Sequence, residues 1–110
     1  MSNTGTAWPD MLQAFTNRNA GRLTTLEIDD PSLGSQSEEL SYPLRGVTYD
    51  RRADQVEIML GDLASTDRHL THTIAAPRAI ELLKDERGRD RVLWIDAADS
   101  KTRLRLVATP

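Results

Sequence analysis

Residues 44–50 read LRGVTYD, residues 55–62 read QVEIMLGD and residues 69–74 read HLTHTI. In each block apolar side chains alternate with polar ones, the period of a strand that lies half on a core. If residues 50–55 connect the first two blocks, Tyr49 falls opposite Val56, Val47 opposite Ile58 and Arg45 opposite Leu60. One face then carries Val47, Tyr49, Val56, Ile58 and Leu60, and the other carries Gly46, Thr48, Glu57 and Met59. In the third block Leu70, His72 and Ile74 share a face, with His69, Thr71 and Thr73 on the reverse. The expectation is a hairpin and a third strand at the centre of an antiparallel sheet.

Outward from this centre, residues 1–6 are small and polar and read as a frayed terminus. Trp8, Met11, Leu12 and Phe15 then recur at helical spacing behind Pro9, which a first helical turn tolerates. Asn19 and Gly21 read as the end of that helix. Arg22 to Ile28 reads as a first strand, with Leu26 and Ile28 on one face and Glu27 on the other. The acidic stretch DDPSLGSQSEE at 29–39 reads as a loop, and Leu40 to Pro43 as an entry from a sheet edge. Its carboxylates do not have the spacing of a calcium loop. Beyond the central blocks, Pro77 followed by Ile80 and Leu83, with Ala76 and Ala79, predicts a second helix that runs out in the charged segment at 85–91, with a turn at Gly88. A last hairpin follows. With Asp99 and Ser100 at its tip, Ile95 faces Leu104 and Leu93 faces Leu106, while Asp96 meets Arg103 and Trp94 meets Arg105. The fold class expected is therefore α+β: a mostly antiparallel twisted sheet of about six strands, with an N-terminal helix and a second helix between the fourth and fifth strands. Partial closure of the sheet into a barrel is the variant of this architecture. The single domain covers residues 7–108.

At 110 residues the chain has the length of one ordinary domain. It has no cysteine, so thiolate metal sites, disulfides and cysteine nucleophiles are excluded, and no cofactor is expected. The N-terminal residues lack a basic segment followed by an apolar run, and no apolar run approaches the roughly twenty residues of a membrane span. A cytoplasmic location without membrane association is the expectation. The net charge of −3 disfavours nucleic-acid binding through general electrostatics.

The N-terminal helix that carries Trp8, the blocks LEIDDPSLG, LRGVTYD…VEIMLGD and HLTHTI, and the helix expected at Pro77 leading to WIDAAD resemble, as a set, a family of small uncharacterised bacterial proteins, a domain of unknown function. The resemblance covers Trp8 to Leu106. It implies a bacterial, intracellular single-domain protein and carries over no catalytic residue.

Chemistry-bearing residues are few. His69 and His72 lie three apart, which on a strand sends them to opposite faces, so they make no chelating pair. His72, between Leu70 and Ile74, reads as a core histidine. As a catalytic base either histidine, His69 or His72, would need Asp62 to orient it and Ser65, Thr71 or Thr73 as nucleophile. No phosphate-binding glycine loop, zinc-protease motif or nucleophile elbow occurs. From Lys84 to Arg105 seven cations stand against five acids, and within that stretch Trp94 beside Arg103 and Arg105 has the composition of an interface anchor. The reading that results is a non-catalytic module that binds a protein partner or a second copy of itself. A small enzyme or ligand-binding protein using the His69/His72 strand is the first alternative, and a weak nucleic-acid binder using the C-terminal hairpin is the second.

Overall fold

A computed structural model describes residues 7–30, 34–37, 42–61 and 69–107. One helix, α1 (Trp8–Asn19), precedes strands β1 (Leu23–Asp30), β2 (Gly34–Ser37), β3 (Tyr42–Asp50), β4 (Gln55–Gly61), β5 (His69–Ala75), β6 (Pro77–Lys84), β7 (Asp90–Ala97) and β8 (Lys101–Leu106). Seven strands follow one another in the order β5-β4-β3-β1-β8-β7-β6, and short β2 pairs with β1 off this path. Every pairing is antiparallel. The expected frayed terminus at 1–6 lies outside the described residues.

The first and last strands of that order are consecutive in sequence, separated only by Ala76. Seven strands laid flat would place their outer members roughly 29 Å apart. A one-residue link cannot span that, so the sheet curls into an open barrel whose edges meet at one corner. Ala76 turns the corner with φ 49, and its N–H donates to the Asp54 carbonyl in the β3–β4 turn at 2.8 Å.

The second helix expected at Pro77 is absent: those residues form β6. Alanine, glutamate, leucine and lysine favour a helix locally, but Ile80 and Leu82 point inward at the strand period and the segment completes a ladder with β7. Pro77 is tolerated as the first residue of an edge strand. Among the described residues the sheet thus has seven strands on its main path, not six, and there is one helix, not two. The acidic stretch also departs from a simple loop, since β1 continues to Asp30 and β2 pairs back onto it.

The central hairpin has the expected pairs Tyr49 with Val56 and Val47 with Ile58, but a bulge at Arg45 places Leu44, not Arg45, opposite Leu60. The β7–β8 hairpin differs more. Its ladder closes at Asp96 with Lys101, so Ile95 lies opposite Thr102, Leu93 opposite Leu104 and Trp94 opposite Arg103. Each partner moves by two residues, which keeps every side chain on its expected face.

The core lies between α1 and the concave side of the sheet. Leu12 and Phe15 are fully buried against Leu26, Leu44, Ile58, Ile80, Leu93 and Leu104. The helix also occupies part of the β3 edge. β1 pairs with β3 only at Pro43 and Tyr42, which leaves the backbone of Val47 without a strand on that side. The Thr16 hydroxyl fills the gap: it accepts from the Val47 N–H at 3.0 Å and donates to the Val47 carbonyl at 3.1 Å. Gly46 permits this approach, because a Cβ there would lie 3.3 Å from Thr16 Cγ2.

Candidate functional site

The sheet face turned away from the core on β6, β7, β8 and β1 carries the residues singled out at the C-terminal hairpin. Across it the rows run Glu81–Trp94–Arg103–Glu27 and Leu83–Val92–Arg105–Thr25. The Arg103 guanidinium lies over the half-exposed Trp94 ring, 4.7 Å from its centroid. Glu27 accepts both cations, Arg103 Nε at 3.4 Å and Arg105 Nε at 3.2 Å. These pairs are partly exposed and each contributes under about 1 kcal/mol. They fix the orientation of Trp94 and neutralise the middle of the face.

One end of the same face is different. The large apolar side chains that are exposed among the described residues are Leu23 (46 %), Leu83 (43 %) and Val107 (38 %). The ladders place all three on this face. Leu83 lies in the row with Arg105, and the Val107 N–H donates to the Leu23 carbonyl at 2.8 Å in the adjoining row. The end in question is where β6 and β8 finish and β7 and β1 begin.

Beneath that end sits a polar network that the sequence reading missed. Asn19 continues the buried stripe of α1 after Trp8, Leu12 and Phe15, and its side-chain amide donates to the Phe15 carbonyl at 2.8 Å and to Asp90 Oδ2 at 2.6 Å. Asp90 is only 4 % exposed and also accepts from Arg18 Nε at 2.8 Å and Nη2 at 3.3 Å. Burial alone would raise the Asp90 carboxyl, but the hydrogen bonds from Arg18 and Asn19, with the charges of Arg18 and Lys84, hold it below the ordinary carboxylate value. Arg22 completes the network by donating to Asn19 Oδ1 and to the carbonyls of Asp90 and Val107. A polar residue at the fourth position of a helix's apolar stripe was the available signal, because a buried amide must find partners.

Two clefts open beside this network and share Arg22 and Asp90. One, of about 570 Å³, is bordered by Lys84, Arg87 and Arg91; the other, of about 440 Å³, by Arg18, Gly88 and Arg89. The β6–β7 turn that forms their rim is held by Asp85, whose carboxylate accepts from the N–H groups of Arg87 and Arg89 at 2.8 and 3.0 Å. Those bonds, the one from Arg89 foremost, hold the Asp85 carboxyl below its ordinary value.

The histidines are kept apart, as their spacing requires. His72 faces Ile58 from the inward side of β5, half-buried, and desolvation lowers its pKa. His69 is exposed at the strand entrance with the Arg45 guanidinium against its ring, Nη1 lying 2.8 Å from Nδ1. Thr71 and Thr73 are exposed on the outward side with His69, so the structure does not bring them to His72. Asp62 and Ser65 lie outside the described residues. No cluster of three metal-ligating side chains occurs among the described residues, and no helix there is long and apolar enough to cross a membrane.

Comparison with curated proteins and with solved structures finds no match. A family profile, by contrast, covers nearly the whole sequence. The chain belongs to a family of unknown function, DUF5335, whose profile matches residues 4–108.

Proposed function

We propose that this chain is a non-catalytic binding module that meets another protein through the outward face of β6, β7, β8 and β1. The observation that carries the reading is the gathering of Leu23, Leu83 and Val107 at one end of a single face, next to an oriented, half-exposed Trp94. Exposed apolar side chains scattered singly need no explanation, whereas a cluster flanked by tryptophan and arginine has the composition of an interface centre. Arg103 and Arg105, anchored on Glu27, form the polar border.

Charge favours a different chain over a second copy as the partner. Arg22, Lys84, Arg91 and Arg105 lie around the apolar end, so a two-fold contact centred there would bring like charges together. A different chain presenting an apolar side chain between acidic ones is complementary. The purified protein should therefore sediment as a monomer, and a concentration-dependent dimer abolished by Leu83→Glu would count against the reading. In complex with its partner, Trp94→Ala and Lys84→Glu should each weaken binding while leaving the melting temperature within a few degrees of the parent; Arg52→Glu, on the exposed β3–β4 turn, should change neither.

A further inference from the structure

We propose that the paired clefts between the C-terminal end of α1 and the β6–β7 turn form a binding site for a phosphate-class oxyanion, either the free ion or a small phosphate ester. The site adjoins the apolar end of the sheet face and shares Arg22, Lys84 and Arg91 with its border, but its argument does not depend on the protein-binding reading.

The two clefts are bordered by Arg18, Arg22, Lys84, Arg87, Arg89 and Arg91, six cations, against three carboxylates. The local surplus of three positive charges stands in a chain whose net charge is −3. Two of the three acids are already engaged. Asp90 is buried and takes three hydrogen bonds from Arg18 and Asn19, and Asp85 is bound to the backbone of its own turn. Only Glu86, exposed on the rim, is left to compete with an incoming anion.

Arg22 is the centre of the site. It lines both clefts, and all three of its hydrogen bonds go to neutral oxygens: Asn19 Oδ1, the Asp90 carbonyl and the Val107 carbonyl. Those bonds hold the guanidinium in place without neutralising it. They use three of its five N–H groups and leave donors at Nε and Nη2. Lys84 and Arg87 approach from the turn as adaptable charges. An anion that gathers close to two charges and several acceptor oxygens on one centre matches this surplus better than a carboxylate, which carries one charge per group.

The test is an amide NMR titration of the full chain with inorganic phosphate, O-phosphoserine and succinate at matched ionic strength. Saturable shifts are expected at Arg18, Arg22 and residues 85–91, with phosphate and phosphoserine binding more tightly than succinate. The tighter of the first two identifies the free ion or the ester as the ligand source, and either order supports the site. Lys84→Gln combined with Arg87→Gln, both exposed and outside the buried network, should lower the affinity about tenfold or more. Arg78→Gln, near the other end of β6, should leave it unchanged. Shifts that never saturate, succinate binding as tightly as phosphate, or an unaltered affinity in the Lys84/Arg87 double variant would each overturn the proposal.

Discussion

Asp90 ties the end of α1 to the start of β7, a link between residues more than seventy positions apart in the chain. Its carboxyl is depressed in the folded state, so it contributes stability that is present above the ordinary carboxylate range and is lost as pH falls through that range towards the folded value. Removing it in Asp90→Ala leaves Asn19 buried with an unpaired amide proton and should cost about 3 kcal/mol, the low end of the buried-pair range because Arg18 is half exposed. Urea denaturation at pH 7 would read that loss. His72 acts in the neutral range with its own sign. Desolvation lowers its folded pKa beneath the ordinary 6.5, so the unfolded chain takes up the proton first as pH falls. Stability should decline from about pH 6.5 downwards on this account, and His72→Gln should flatten that part of the profile. A melting temperature that falls as steeply in the variant as in the parent would contradict the assignment.

Among the elements, the best-read were those in which one period dominates. α1 has a four-member buried stripe, and the 44–74 blocks alternate cleanly, so both were legible without any tertiary information. β6 was not. The run PRAIELLK satisfies a helical stripe through Ile80 and Leu83 and a strand stripe through Ile80 and Leu82, and only the presence of β7 decides between them. The β7–β8 register was misjudged because the turn at 97–100 is centred one residue earlier than the Asp99–Ser100 pair suggested. Faces survive such a shift but partners do not, which is why Trp94 stacks with Arg103 and not with Arg105. The docking of α1 on the β3 edge was likewise invisible in the sequence, since Thr16 is an unremarkable polar residue on the helix. Thr16→Val keeps the shape but strands the Val47 N–H and carbonyl, and should cost about 1–3 kcal/mol in a denaturation experiment.

For the whole molecule, the open barrel explains where the candidate surfaces are. Curling the sheet turns one face in around α1 and leaves the other to solvent, so residues far apart in sequence (Leu23, Leu83, Trp94 and Val107) come together on the outside. Trp94, Arg103 and Arg105 could be nominated from the sequence, because a tryptophan on one strand of a hairpin facing arginines on the next is visible in it. The apolar end could not, since it depends on β6 being a strand and on β1 lying beside β8. The cationic clefts were hidden for the same reason: the charged run at 84–91 reads as the end of a helix until the β6–β7 turn sets it against Arg18 and Arg22. The most direct measurement of the central claim places a photoreactive amino acid at position 83 and, separately, at position 52, and irradiates the chain in its native cells. The expected result is one discrete adduct with a different protein from position 83 only, joined through an acidic, apolar-centred segment and lost on adding Trp94→Ala. An adduct of two copies of this chain, or equal labelling from both positions, would contradict it.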